Sequence, residues 1–273
     1  MSLEKLIRQT LAEDRTDRDL TCLATVPSDL SGRAEITAKE AGVISGIDVA
    51  RTVFTLVDKN IEQNWKMING TMVKPGDVIG LLQGKLRSIL TAERTALNFL
   101  QHLSGIATST HSFCREVRNY DCLIADTRKT APGLRQLEKR AVKHGGGVNH
   151  RIDLADGMLI KENHIMAAGS LKKAILACRR ISDVRLEVEC ETLEEVREAI
   201  ACKPDMILLD NMSVEQVEAA HNLVPESIVL EASGGITIDN AGRYAETGVD
   251  RLAIGAITHS ASALDISLLV KEA

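Results

Sequence analysis

Aromatic side chains are almost absent: one Trp, two Tyr and three Phe among 273 residues, 2% of the chain. Base-stacking platforms for single-stranded nucleic acid need such rings, so that class of binding is excluded. Cationic excess is missing too. Lys and Arg number 33 against 38 Asp and Glu, a formal net charge of −5. That balance removes the general electrostatic footprint of a nucleic-acid or membrane-surface protein, and any anion site must be a local cluster of cations. No run of about 18 apolar residues offers a membrane span. The opening Met-Ser-Leu-Glu-Lys lacks the apolar stretch of a signal peptide. The six cysteines (Cys22, Cys114, Cys122, Cys178, Cys190 and Cys202) form no CxxC pair and stand at no zinc-finger spacing. They read as reduced thiols of a cytoplasmic protein.

What is present is an ordinary globular composition, 44% apolar and 26% charged, long enough for one large or two modest domains. The first hundred residues mix α and β signals. Leu3, Leu6, Ile7 and Leu11 share one face of an opening helix. Residues 32–38 alternate as a half-buried strand does. Residues 73–79 read strand–turn–strand around Pro75-Gly76, with a faint likeness to a biotinyl-domain hairpin that a plain turn explains better. From Leu86 to Val117 an apolar periodicity predicts one or two helices.

After residue 120 apolar strand-like runs alternate with helical patterns. The runs are 122–127, 158–161, 184–189, 206–210, 228–232 and 252–255, with a weaker one at 147–150. Thr192-Leu-Glu-Glu195 and Ser213-Val-Glu-Gln216 are capping boxes. The expected strand ends Glu189, Asp210, Glu231 and Gly255 recur 21, 21 and 24 residues apart. That is a tight βα repeat, hence a parallel sheet. The run 184–189 differs from the others in alternating apolar with charged residues. An α/β barrel and an open doubly wound sheet both fit; the lack of GxGxxG favours the barrel.

In a βα barrel, site residues sit where strands end. Those positions hold Arg128, Lys129, His150, Arg151 and Lys161, then Glu189 and Asp210, with Glu187 as a weaker candidate, then Ser233-Gly234-Gly235 and Gly255. Four like charges on one rim repel unless an anion balances them. Arginine suits carboxylate or phosphate, which it can grip through two parallel bonds. Glu189 and Asp210 suit Mg²⁺ or sugar hydroxyls. Helices expected near Thr237 and Ser262, each behind a glycine loop, suit a phosphate. His111, His144 and His221 read as surface or packing residues, and His102 and His259 divide between packing and an indirect role.

These blocks resemble one family. Thr127-Arg-Lys-Thr-Ala-Pro-Gly-Leu-Arg-Gln-Leu-Glu-Lys139 is similar to the most characteristic stretch of quinolinate phosphoribosyltransferases. Gly145-Gly-Gly-Val-Asn-His-Arg151, Leu159-Ile-Lys-Glu-Asn-His164, Leu208-Leu-Asp-Asn-Met212, Glu231-Ala-Ser-Gly-Gly-Ile236 and Gly255-Ala-Ile-Thr-His-Ser260 follow in the same order. Upstream, Glu93-Arg-Thr-Ala-Leu-Asn98 and Ser104-Gly-Ile-Ala-Thr108 match as well. Arg18 and Asp153 stand where glycine is common in the family.

The resemblance implies an N-terminal α/β sandwich domain over residues 1–103 and an incomplete seven-stranded α/β barrel over 104–264, with the tail 265–273 returning to the first domain. It implies a homodimer or higher homo-oligomer, and transfer of phosphoribosyl from phosphoribosyl pyrophosphate to quinolinate with decarboxylation, in NAD biosynthesis. By the same resemblance Arg128, Lys129, His150, Arg151 and Lys161, with Arg94 from the partner subunit, bind quinolinate, and Lys129 and Lys161 also meet the phosphoribosyl donor. Glu189 and Asp210 hold the ribose and Mg²⁺-pyrophosphate, and Ser233, Gly234, Gly235 and Gly255 cradle the 5′-phosphate. Three alternatives stay open: a Schiff-base aldolase using Lys129 or Lys161, a relative associated with molybdate transport, and nicotinate as acceptor. The paired acidic residues and Thr-Gly loop of type I phosphoribosyltransferases are absent, which leaves the barrel-type transferases.

Overall fold

A computed structural model describes residues 2–271; residues 272 and 273 of the expected returning tail lie outside the described residues. The chain divides into two compact units. One takes in the chain up to Ser109, Pro132–Gly145 and the chain from Ala261 on; the other is Thr110–Ala131 with Gly146–Ser260.

In the first unit, α1 (Leu3–Glu13) is capped by Ser2, whose hydroxyl accepts the Lys5 N–H, and buries Ile7 and Leu11 from its apolar face. Leu3 and Leu6 on that face are half-buried. Next come α2 (Leu20–Thr25), β1 (Ser31–Ala38), β2 (Gly42–Val43), α3 (Ile47–Val57), β3 (Glu62–Trp65), β4 (Met72–Val73) and β5 (Val78–Lys85). The alternation expected over 32–38 is β1, which buries Ala34, Ile36 and Ala38. It pairs antiparallel with β5 on one side and with the last strand, Ile266–Lys271, on the other; β3 completes the sheet beyond β5.

The turn at Pro75-Gly76 is present, with Gly76 at φ 90° and the Asp77 N–H bonded to Lys74 O at 3.1 Å. It is not a hairpin: β4 pairs with β2, whereas β5 joins β1 and β3. The periodicity from Leu86 is one uninterrupted 31-residue helix, α4 (Leu86–Glu116). Its sequence contains no proline to break it. α5 (Arg135–His144) clusters with this unit.

The second unit is built on a parallel sheet of β6 (Leu123–Ala125), β7 (Met158–Ile160), β8 (Leu186–Cys190), β9 (Met206–Asp210), β10 (Val229–Ser233) and β11 (Arg251–Ala253), in the order β6-β11-β10-β9-β8-β7. Val148 adds a parallel bridge to Ala125, so the weak run 147–150 supplies the seventh strand position. The order runs from Val148 at one edge to β7 at the other, and no ladder joins those two edges among the described residues: the barrel is incomplete. Helices α6 (Glu162–Ala168), α7 (Leu171–Ile181), α8 (Leu193–Cys202), α9 (Val214–His221), α10 (Ala241–Glu246) and α11 (Ala256–His259) intervene. Both capping boxes close as expected. Thr192 Oγ1 accepts the Glu195 N–H and Glu195 Oε2 accepts the Thr192 N–H; Ser213 and Gln216 do the same.

Four expectations need correction. The alternating run 184–189 is not half-exposed over its strand, because Leu186, Glu187 and Val188 are all buried; among its charges only Arg185, before β8 begins, is exposed. β10 runs on to Ser233, so Glu231 lies two residues inside the strand instead of at its end. The helix expected near Thr237 starts at Ala241, after a turn in which the Ala241 N–H bonds Thr237 O. The helix expected near Ser262 begins instead at Ala256, directly behind Gly255, and spans four residues.

Close packing in the first unit is tested at Gly105, inside α4. A Cβ there would lie 2.1 Å from the Ser262 carbonyl oxygen. Glycine to alanine inside a helix ordinarily stabilises by about 1 kcal/mol. Gly105→Ala should instead destabilise by roughly 1–3 kcal/mol, the usual cost of overpacking, seen as a lower midpoint in denaturant unfolding.

Candidate functional site

The C-terminal ends of the parallel strands surround a cavity of about 320 Å³. Arg128, Lys129, His150, Arg151, Lys161, Glu189, Asp210 and Ser233 all line it, together with Thr127, Leu159, Leu208 and Ala253. The register explains the convergence. Glu189 is paired with Leu208, Asp210 with Ser233, and Ser233 with Ala253, so neighbouring strands end level with one another.

The cations come from the loops. Arg128 and Lys129 follow β6 in a turn where Thr127 Oγ1 accepts the Lys129 N–H at 3.0 Å. Thr258 donates its hydroxyl to Lys129 O at 2.8 Å, tying this loop to α11. Arg128 Nε is buried with no hydrogen-bond partner. A guanidinium left so on a cavity wall is set to receive an anion. Arg151 is buried, donates through Nη1 to Gly157 O at 3.0 Å, and has its pKa lowered by burial and by the neighbouring Arg128 charge. An anion between them offsets the Arg128 repulsion.

Lys161, directly after β7, is ion-paired with Glu189. Burial raises the Glu189 pKa, against the pull of Lys161, and Asp210 and Glu162 push it the same way. Asp210 accepts from Asn211 Nδ2 at 2.9 Å. The site is therefore not a bare cationic cluster; one of its cations is already matched, while Arg128 and Lys129 form no side-chain ion pair among the described residues.

His150 sits lowest. Its Nε2 lies 2.9 Å from Glu187 Oε2 and 3.3 Å from Glu231 Oε1, and Arg251 Nε is 3.0 Å from Glu231 Oε2. Burial works against the imidazolium, but the bonds and charges of Glu187 and Glu231 outweigh it and raise the His150 pKa to about 9. His150 Nδ1 is 2.8 Å from the Arg151 N–H, an acceptor geometry that the neutral ring alone supports. In either protonation state Nε2 keeps its proton between the carboxylates. His150, Glu187 and Glu231 also place three ligand atoms within 4.8 Å of one another. Arg251 already provides the cation for Glu231, which argues against a metal there.

Two glycine positions shape the rim. Gly234 has φ 88°, and a Cβ on it would lie 2.2 Å from Asn211 Oδ1; Gly235 has φ 62°. Gly255 has an ordinary helical backbone, and a Cβ on it would lie 3.0 Å from Lys129 Cδ. None of the three is among the cavity-lining residues, but each follows a strand that reaches it. Arg94 is elsewhere: it is exposed on α4, in the first unit.

Sequence reasoning passed over Asp126 and Arg251 and ranked Glu187 low. Asp126 is fully buried and accepts the His150 N–H at 2.9 Å. The missed signal was a charged residue inside an apolar run, which is rare unless paired. Two other histidines make packing bonds: His102 pairs with buried Glu138 at 2.8 Å, and His144 bonds Ser45. Burial pushes the thiols of Cys122 and Cys190 up to about 12, so neither is a nucleophile.

Comparison with known proteins agrees over the whole length. Residues 19–104 match the family model of the quinolinate phosphoribosyl transferase N-terminal domain, and 106–269 that of the C-terminal domain. The probable nicotinate-nucleotide pyrophosphorylase [carboxylating] of Bacillus subtilis is 42% identical over 98% of this chain and 93% of its own. The nicotinate-nucleotide pyrophosphorylase [carboxylating] of Mycobacterium leprae is 43% identical over 96% and 95%. The solved nicotinate-nucleotide pyrophosphorylase of Francisella tularensis superposes with a TM-score of 0.95 at 41% identity, covering 98% of this chain and 96% of that one.

The rim geometry predicts an order of effects. Gly234→Ala combines a left-handed backbone with the Asn211 collision and should weaken binding of ribose 5-phosphate at least tenfold by calorimetry, with a strain of about 1–3 kcal/mol. Gly255→Ala meets only side chains, the Lys129 stem and the exposed His259 ring, and should cost less than Gly234→Ala in the same titration.

Proposed function

The chain belongs to the quinolinate phosphoribosyltransferase family, and on that premise we propose how the barrel mouth performs the family reaction. That reaction joins quinolinate to phosphoribosyl pyrophosphate and releases CO₂ and pyrophosphate, giving nicotinate mononucleotide for NAD. The observation that carries the reading is one cavity in which the unpartnered Arg128, Lys129 and buried Arg151 share the walls with Glu189 and Asp210. Such a site takes a dianionic acid and a polyanionic sugar together.

Arg128 and Arg151 grip the two carboxylates, with Lys129 and Lys161 neutralising charge on both substrates. The pyridine nitrogen attacks the ribose C1, and the C1–O bond to pyrophosphate breaks with its electron pair leaving on oxygen. Alkylated nitrogen is cationic, so it holds the electron pair left on C2 when the 2-carboxylate departs as CO₂; a proton from water then completes the product. The protein positions and neutralises rather than supplying a strong base, which is preorganised electrostatics. Glu189 and Asp210 take the ribose hydroxyls. Ser233, Gly234, Gly235 and Gly255 border the 5′-phosphate.

Mg²⁺ fits this donor set in one way. Glu189 and Asp210 offer hard oxygens, but Lys161 already occupies Glu189, so few direct protein ligands remain. That suits an ion that arrives on pyrophosphate and keeps most of its waters. When bound it neutralises the leaving group. Arg94, exposed on α4, is assigned to the site of a partner subunit in a homodimer. Among the described residues no helix is long and apolar enough to cross a membrane; we place the enzyme in the cytoplasm.

Purified protein with quinolinate, phosphoribosyl pyrophosphate and Mg²⁺ should release CO₂ and form the mononucleotide, with nicotinate inert; turnover of nicotinate would sink the assignment. Arg128→Ala should abolish turnover with the unfolding midpoint unchanged. Arg94→Ala mixed with a barrel-site variant should regain activity in hybrid dimers, and absence of complementation would count against a shared site.

A further inference from the structure

The loop that carries Arg128 and Lys129 is neither helix nor strand. No ladder holds its main chain, so other bonds must. For Lys129 both come from threonine hydroxyls. Its N–H donates to Thr127 Oγ1 at 3.0 Å, and its carbonyl accepts from Thr258 Oγ1 at 2.8 Å. The Thr127 bond is internal to the loop and moves with it. The Thr258 bond ties Lys129 to a different element, α11.

Thr258 is buried, at 3% exposure. Its hydroxyl also stands 3.1 Å from Gly255 O, the kind of local bond that a threonine in a helix makes to the preceding turn. A hydroxyl has one proton to give. The bond to Lys129 is the shorter of the two and joins residues 129 apart in the chain. A threonine that served α11 alone would need no partner in the β6 loop.

The sheet brings these loops together. β6 and β11 pair in parallel with Ala125 level with Ala253, and the Ile254 N–H donates to Ala125 O at 2.9 Å. Beyond that bond the two strands part into loops, and the Thr258 hydroxyl joins them again. The Lys129 stem then passes close to Gly255, where a Cβ would lie 3.0 Å from Lys129 Cδ. Its side chain lines the cavity. Lysine carries its charge on a flexible four-carbon stem, so the place of the ammonium depends on where the main chain is fixed.

We propose that Thr258 is a positioning residue for the reaction. Its hydroxyl fixes the Lys129 main chain against α11, so that the ammonium meets the phosphoribosyl donor in one place. Thr258 itself is not among the residues that line the cavity. The inference rests on the reading of Lys129 as a ligand of phosphoribosyl pyrophosphate.

Thr258→Val keeps the branched shape and removes the hydroxyl; Thr258→Ser keeps the hydroxyl and loses a methyl. Calorimetry with phosphoribosyl pyrophosphate and Mg²⁺, without quinolinate, separates the two. Thr258→Val should weaken the donor about tenfold, the loss of one well-placed hydrogen bond, and Thr258→Ser should stay within about threefold of the parent protein. A threonine that only packs gives the reverse order, because serine leaves a small cavity and valine does not. That order, or an unchanged affinity in Thr258→Val, overturns the proposal. Thr258→Ala also removes the hydroxyl and serves if Thr258→Val does not fold; normal donor affinity in it contradicts the mechanism.

In a Lys129→Ala background Thr258→Val should add less than about twofold, since the group it positions is gone. A full tenfold there means that the hydroxyl acts through Gly255 instead, and overturns the proposal as well. If Lys129→Ala alone binds the donor as tightly as the parent protein, the reading of Lys129 fails and the positioning role falls with it. A weakened Lys129→Ala beside a normal Thr258→Val overturns the positioning role alone.

Discussion

Parallel strands all finish on the same side of their sheet, and everything about this site depends on that constraint. Each βα unit brings one strand end to the same mouth. Residues far apart in the chain, Arg128 after β6 and Asp210 at the end of β9, therefore face one cavity. The level register across β8, β9, β10 and β11 does the rest. Shifting one strand by a single residue would turn Glu189 or Asp210 outward and carry an apolar neighbour in.

Electrostatics inside that mouth follow from dryness. Arg151 and His150 are buried, and charges in such a place interact far more strongly than at the surface. The protein answers in two layers. At the rim Lys161 is matched by Glu189, while Arg128 and Lys129 stay unmatched for an incoming anion. Below, Glu187 and Glu231 flank His150, and Arg251 stands against Glu231. The upper layer is chemically incomplete without substrate. An overall negative protein can in this way bind polyanions without attracting nucleic acid.

The elements legible in the sequence were those with local causes. The α1 stripe, the β1 alternation, both capping boxes and all seven strand positions of the barrel unit depend on neighbours within a few residues. The second layer was not legible for the opposite reason. Glu187 made its strand look half-exposed, and Glu231 looked like a strand end, because a charged residue in a strand signals solvent until its partner is known. Arg251 opens a short apolar strand and carries no motif at all. The helix expected near Ser262 failed because α11 starts directly behind Gly255, with no side-chain cap to mark it in the sequence.

The sequence by itself determined the fold class, the family and eight of the residues that line the cavity, because strand-end positions in a βα repeat are spaced by the repeat. Only the tertiary structure decided what those residues have left to give. It set His150 between buried carboxyl groups, spent Lys161 on Glu189, and left Arg128 open. Such allocation is set by distances between strands that no local pattern encodes.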